Sequence, residues 1–341
     1  MLKNHPFWHR SNPREMKLVR TFPLPVEANP FFGDGVNLSI ACAAGETMNH
    51  KWTVAYEAIR NGVVRGLIDE NTIIVEASSG NTGLNLAIIC GLLGLRIVIV
   101  VPNDMPGAKL DVIRTVGGHV SFQSPLHGES TATCARRLGA QDGWHNPDQY
   151  TGDWNPRAHA SYLMPQLFAQ NPRMTVFVPP CGTMGTALGA HQYAVEHGLS
   201  FAVVPAMVAD GQEIPAARTL SRVKQDVRNG WEKYFNEANI EFGNRFASFL
   251  LSYLLWRLVP VQLGPTSGLA VVAAFKFLRR YLADGTLNRF RHPKDGLVHI
   301  VAFGPDDYRL YSALYMALRF YEDERFATGV PDDLRELIDL A

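Results

Sequence analysis

Neither sign of charge is in excess. The 341 residues carry 32 Lys+Arg against 32 Asp+Glu, a formal net charge of +0. Without a global field, nothing draws the chain to nucleic acid or to an anionic membrane surface, and the expected partner is a small molecule. Cysteine is scarce: Cys42, Cys90, Cys134 and Cys181, with no CxxC pair. That spacing argues against a disulfide framework and against a zinc site, and it fits a reduced cytosol. No metal is expected. Long apolar runs are missing too. The run 86–95 ends at Arg96 and is too short to span a bilayer. Residues 1–20 are polar, carry Pro6 and Pro13, and have no apolar signal core, so a cytoplasmic protein is expected. There is no Walker A ending, no GxGxxG spacing, no short tandem repeat and no low-complexity segment. These absences remove the P-loop and the dinucleotide fold from consideration.

Bulk is present. Hydrophobic residues make up 47% and charged residues 19%, enough to bury a sizeable core and too apolar for disorder. The length suits two domains or one large α/β unit.

The informative stretch is 73–87. Ile73-Ile74-Val75-Glu76-Ala77 is a β-branched run that stops in Ser78-Ser79-Gly80-Asn81-Thr82-Gly83, and an apolar helical pattern follows. This predicts a strand, a tight turn and a helix N-terminus. Hydroxyls, an amide and backbone N–H groups at a helix start bind an anion, either a phosphate or a carboxylate. Ser78 and Thr82 would equally serve as caps of the helix.

Further strand and helix units alternate along the chain. Strands are expected at 18–22, 36–44, 97–101, 119–122, 175–178, 201–204 and 297–303. Helices are expected at 52–61, 109–116, 130–138, 158–169, 187–196 and 268–282, with Gly117-Gly118 closing the second of these. The alternation predicts a parallel, doubly wound α/β sheet. Residues 146–156 form a polar, aromatic, Pro/Gly-rich loop, an ordinary connector or a binding loop. The segment 205–262 reads as mixed. Lys51 falls in the loop 45–51, just before a helix, where the helix dipole disfavours a permanent positive charge. It is either an exposed surface lysine or one whose amine is tied up as an imine. A second Gly/Thr turn, Cys181-Gly182-Thr183-Met184-Gly185-Thr186, opens a helix after a strand, and Gly264-Pro265-Thr266-Ser267-Gly268 opens a third.

These three motifs, in this order, resemble the cysteine synthase/cystathionine β-synthase family of fold-type II pyridoxal-phosphate (PLP) enzymes. Ser78–Gly83 is similar to the TSGNTG signature, Gly182–Thr186 to the GTGGT loop and Gly264–Gly268 to the GISSG turn. The resemblance covers roughly residues 20–310. It implies two doubly wound three-layer α/β domains with the cofactor in the cleft between them. The smaller, mobile one would span 46–164 and close over bound amino acid. The larger would comprise 1–45 plus 165–341, with no regulatory domain appended after about 310.

The resemblance also implies roles. Lys51 would carry PLP as an imine and shuttle the substrate Cα proton. Gly182, Thr183, Met184, Gly185 and Thr186 would hold the phosphate. Asn81 would bond the ring 3′-oxygen and Thr266 would face the pyridine nitrogen. Ser78, Ser79, Gly80, Asn81 and Thr82 would take the substrate α-carboxylate, with Gln149 reaching it from the 146–156 loop. Each role has a plainer competitor: Thr266 as a helix N-cap, Gln149 as a solvated loop residue. The implied reaction is β-replacement or β-elimination on a small amino acid, an O-activated serine or cysteine, through an aminoacrylate, in a homodimer. Serine/threonine dehydration and cysteine lyase-type elimination are the enzymatic alternatives, and a catalytically silent ligand-binding relative is the alternative of another class.

Some positions depart from the family pattern. Asn49, His50, Trp52 and Thr53 surround Lys51, where the family has Ser two places before it and Asp-Arg after it. Met184 replaces the central glycine of the phosphate loop. His50 is an added acid/base or a supporting residue outside the chemistry. A hydroxyl at Thr266, in place of a carboxylate, is expected not to enforce a protonated ring nitrogen, favouring elimination over transamination.

Overall fold

The computed structural model describes residues 2–43, 49–78, 80–103, 107–116, 120–256 and 258–317. Residues 45–48 of the lysine loop, Ser79, His119, Gly117-Gly118 and the polar C-terminal tail lie outside the described residues. The chain divides into two compact units.

The first unit comprises Met1–Lys17, Lys51–Tyr162 and Asp226–Asn229. Its sheet has four strands in the order Val120–Gln123, Arg96–Val100, Ile73–Ala77, Trp144–His145, and every pair is parallel. Helices Asn81–Leu93, Gly107–Val116 and Thr131–Gly139 connect successive strands. The central strands are Val/Ile runs because parallel strands are covered on both faces, and Ile74, Val75, Ile97 and Ile99 are buried. Helix Asn81–Leu93 is apolar nearly all round and correspondingly buried. It stops at Gly94, whose φ of 69° is left-handed and whose N–H returns to Cys90 and Gly91 carbonyls. Ser130 caps helix Thr131–Gly139, accepting from the Thr133 N–H. The N-terminal residues pack against helix Lys51–Val64: Phe7 and Trp8 lie against Tyr56, and the Tyr56 hydroxyl donates to the Trp8 carbonyl at 3.0 Å.

The second unit comprises Leu18–His50, Leu163–Gln225 and Gly230–Ala341. Its sheet runs Arg20–Pro23, Val36–Cys42, Val298–Gly304, Val176–Val178, Ala202–Val203. Only the first pair is antiparallel. Helices Arg245–Leu255 and Pro265–Ala283 pack together in its core. Gly268 makes their approach possible: a Cβ there would stand 1.8 Å from the Ser248 carbonyl oxygen.

The α/β reading holds, with local corrections. A two-stranded parallel sheet, Glu241–Gly243 with Ala206–Val208, lies inside the segment read as mixed. Three-residue strands are too short to display a period. The helix expected at 158–169 begins earlier, at Trp154–Ala158, passes through a π turn at His159–Leu163 and resumes at Met164–Gln170. Pro165 lacks the N–H that the α ladder needs, so the pitch changes before it. No helix among the described residues is long and apolar enough to cross a membrane.

Candidate active site

In the first unit, Lys51 is the first residue of helix Lys51–Val64 and is half-buried. In the 73–87 stretch Ser78 bonds to Gly83 and Thr82 to Gln149; Ser79 is outside the described residues. Ser78 Oγ accepts from the Gly83 N–H at 2.9 Å, so Ser78 fastens the strand end to the first helical turn. A Cβ at Gly83 would meet the Ser78 carbonyl oxygen at 3.1 Å, a tighter contact than most side chains make. Helix Asn81–Leu93 starts at Gly80, which offers no side-chain cap. Ser78 Oγ takes the Gly83 N–H of its first turn, so Ser78 does the capping that Gly80 cannot.

Gln149 is buried, not solvated. Its Oε1 accepts from the Thr82 hydroxyl at 2.9 Å, and its Nε2 donates to the Ala77 carbonyl at 2.8 Å. Its backbone carbonyl accepts from Asn155 Nδ2 at 2.8 Å. The 146–156 loop is thus tied to Ala77 and Thr82 through one side chain. The tie depends on Asp148, which adopts a left-handed φ of 54°. Its carboxylate accepts from Arg136 Nε at 2.7 Å and from the Thr151 hydroxyl at 2.6 Å, a local network that offsets the backbone strain.

Glu76 completes this framework and was given no role by sequence reasoning. It is fully buried in strand Ile73–Ala77. Its two oxygens accept from the Ala77 N–H at 3.0 Å and the Gln149 N–H at 3.2 Å. Burial, and then the Asp148 carboxylate, push its carboxyl up to about 8 against those two N–H groups and Arg136. Burial thus favours its neutral form, while the two N–H groups and Arg136 favour its charged one. The signal was legible: one acid inside a β-branched run.

In the second unit, the Cys181–Thr186 turn follows strand Val176–Val178 and opens helix Gly185–Glu196. Cys181 is pinned on both sides, its N–H to the Ala206 carbonyl at 2.8 Å and its carbonyl from the Arg218 N–H at 3.0 Å. Gly182 has no room for a side chain, because a Cβ would meet the Ala216 carbonyl oxygen at 2.9 Å. Met184 occupies the N-cap with φ 60° and ψ 0°, a left-handed conformation, and its side chain is buried. The chain keeps the glycine geometry without the glycine. Thr183 and Thr186 are buried beside it.

Thr266 is not the N-cap of its helix. Gly264 is, and Pro265 takes the first helical position. Segment 262–264 pairs with 306–308: Gly264 N–H donates to the Asp306 carbonyl at 3.0 Å and Tyr308 N–H to the Gln262 carbonyl at 3.1 Å. That pairing delivers the Thr266 hydroxyl to Asp306 Oδ1 at 2.8 Å, both residues buried. His50 is also accounted for. Its Nδ1 lies 3.2 Å from the Pro305 carbonyl and its ring stands edge-on to Phe303. These are the contacts of a supporting residue.

The four cysteines are free and buried. Burial pushes the Cys42 thiol up to about 12 and raises Cys90 and Cys134, so they do not serve as thiolate nucleophiles. Among the described residues no group of three or more His, Cys, Asp or Glu is arranged to hold a metal.

Two parallel α/β units with helix-start turns of this kind define a class. A profile described as "Pyridoxal-phosphate dependent enzyme" matches residues 43–235, and the chain belongs to this family. Cysteine synthase B of Escherichia coli (strain K12) is 30% identical over 156 residues, 45% of this chain and 52% of that protein. Cysteine synthase 1 of Neurospora crassa is 31% identical over 164 residues, 46% of this chain and 42% of that protein. The chain spans about half the length of the curated relatives it matches. Among solved structures, O-ureido-L-serine synthase superposes with a TM-score of 0.69 at 19% identity, covering 92% of this chain and 95% of that one. O-acetylserine dependent cystathionine β-synthase from Helicobacter pylori gives 0.71 at 19% identity, covering 89% and 96%. These two likenesses establish the fold: a fold-type II PLP-enzyme architecture.

Proposed function

We propose that the protein catalyses PLP-dependent β-replacement or β-elimination on a small amino acid bearing an activated oxygen or sulfur at Cβ, with O-activated serine or cysteine as the substrate class. Its relatives carry names built on cysteine, O-ureidoserine and O-acetylserine, and the site residues suit that chemistry. The observation that carries the reading is the Thr82–Gln149 hydrogen bond, which ties the start of helix Asn81–Leu93 to the 146–156 loop, the two segments that in this reading take the substrate carboxylate.

The residues fit the cofactor. The Gly182–Thr186 turn opens a helix, its Gly182 packs too closely on the Ala216 carbonyl for a side chain, and it carries two threonines. Such a helix start takes a phosphate. In this reading Gly182, Thr183, Met184, Gly185 and Thr186 hold the phosphate, Thr266 meets the ring nitrogen, Asn81 the ring oxygen, and Lys51 the aldehyde carbon. When bound, PLP supplies an electron sink that acidifies the substrate Cα–H.

The chain's own groups do the rest. Ser78, Ser79, Gly80, Asn81 and Thr82 hold the substrate carboxylate at a helix N-terminus, where the dipole favours the anion. Lys51 is the first residue of its helix, and in this reading its amine takes the Cα proton. Holding the carboxylate fixes the Cα–H relative to that amine, a proximity effect. The protein acts in the cytoplasm, as a homodimer.

The assay is product formation. Holoprotein incubated with O-acetyl-L-serine and sulfide is expected to release cysteine and acetate. Without a nucleophile it releases pyruvate slowly. Pyruvate at the same rate with and without nucleophile moves the assignment to a lyase, and absence of both products with every O-activated serine overturns it.

A further inference from the structure

We propose that Asp306 fixes the Thr266 hydroxyl as a hydrogen-bond acceptor, so that the pyridine nitrogen it serves is held in its N–H form. The inference rests on the reading that Thr266 faces the ring nitrogen.

A threonine hydroxyl has one proton to give. Thr266 spends it on Asp306 Oδ1 at 2.8 Å. The second carboxylate oxygen, Oδ2, accepts from the Tyr311 hydroxyl. Two hydroxyl donors on two different oxygens are the arrangement a carboxylate accepts; an acid would need one of them to turn round and accept. Asp306 is fully buried, so these donors take the place of water.

The surroundings hold this geometry. The Asp306 carbonyl is bonded by the Gly264 N–H at 3.0 Å. Gly264 has no side chain, and none fits: a Cβ would lie 2.5 Å from Asp306 Oδ1 and 2.8 Å from the Tyr311 ring. The carboxylate is therefore packed against the start of the helix that carries Thr266.

With its proton committed, Thr266 Oγ1 presents only lone pairs to any further neighbour. A neutral pyridine nitrogen also presents a lone pair, and the two repel. A protonated ring nitrogen donates. The buried carboxylate one hydrogen bond away adds a negative field that favours the cation. A hydroxyl backed by a carboxylate thus behaves unlike the hydroxyl alone that the sequence suggested. Asp306 is a positioning residue, since it acts through Thr266.

The test is 15N NMR of the holoprotein carrying PLP labelled at the ring nitrogen. The wild-type resonance is expected in the protonated range; a resonance in the neutral range overturns the proposal whichever variants fold. Thr266→Val is expected to move it to the neutral range. An unchanged resonance in that variant contradicts the placement of Thr266 at the ring, and with it this proposal. Asp306→Asn, which removes the charge and keeps the shape, is expected to move the resonance towards neutral. If Thr266→Val moves it and Asp306→Asn does not, Thr266 keeps its place and the role of Asp306 is lost.

Discussion

The Thr82 hydroxyl donates to Gln149 Oε1 at 2.9 Å, joining two segments that are 67 residues apart in sequence. Both side chains are buried. Removing the donor leaves a buried acceptor without its partner, which costs about 1–3 kcal/mol. Thr82→Val is expected to lose that much in urea unfolding of the apoprotein. It is also expected to raise KM for the amino acid by about tenfold, the equivalent of roughly 1.4 kcal/mol, while PLP uptake is unchanged. Unchanged stability together with unchanged KM would remove Thr82 from carboxylate binding.

Glu76 gives the fold a pH dependence. Its folded-state value of about 8 lies above the ordinary glutamate value, so the folded state binds the extra proton. The stability it contributes is complete below the ordinary carboxylate range and is lost as the pH rises to and through about 8. The difference in unfolding free energy between wild type and Glu76→Gln is expected to slope across that window and to flatten above it. A difference that is level from pH 4 to pH 9 (about the range that brackets both values) contradicts a raised Glu76.

Met184 sets strain against burial. Its left-handed φ of 60° costs about 1–2 kcal/mol in a residue with a Cβ. Its buried side chain offsets this. Met184→Ala keeps the strain and loses the packing, a loss of about 2–5 kcal/mol. Met184→Gly loses the same packing and sheds the strain, so it is expected to be the more stable of the two by about 1 kcal/mol. Thermal melts of the apoproteins check the order, and the reverse order argues against strain at this turn.

Gly268 is the contact point of two core helices. A methyl group there would sit 1.8 Å from the Ser248 carbonyl oxygen and 2.8 Å from the Ser252 nitrogen. These are backbone atoms and cannot rotate away. Gly268→Ala is expected to cost about 3 kcal/mol or more, read as a loss of soluble, folded protein. A variant as stable as wild type would mean that the helices slide apart freely.

Much of this was legible in the sequence. The β-branched runs and the glycine and serine punctuation placed the strands and the turns before helices Asn81–Leu93 and Gly185–Glu196 close to where they lie. Lys51 was placed at a helix start by the same signals. Other features were hidden for physical reasons. The strand pair Ala206–Val208 and Glu241–Gly243 is too short to show alternation. Thr266 resembled an N-cap, because local sequence does not reveal that 306–308 pairs with 262–264 and brings Asp306 to it. Gly268 resembled a turn residue, whereas its smallness serves a helix crossing. The partners of Gln149, at Glu76, Ala77 and Thr82, lie about 70 residues away along the chain, beyond any local pattern.

The central claim is that Lys51 carries a PLP on which this site operates. Visible absorbance of the protein purified with PLP, and of its Lys51→Ala variant, tests it most directly. The account predicts a visible band in the wild type that borohydride removes, that O-acetyl-L-serine shifts, and that Lys51→Ala lacks. A wild-type protein that takes up no PLP, or a band that Lys51→Ala retains unchanged, would contradict it.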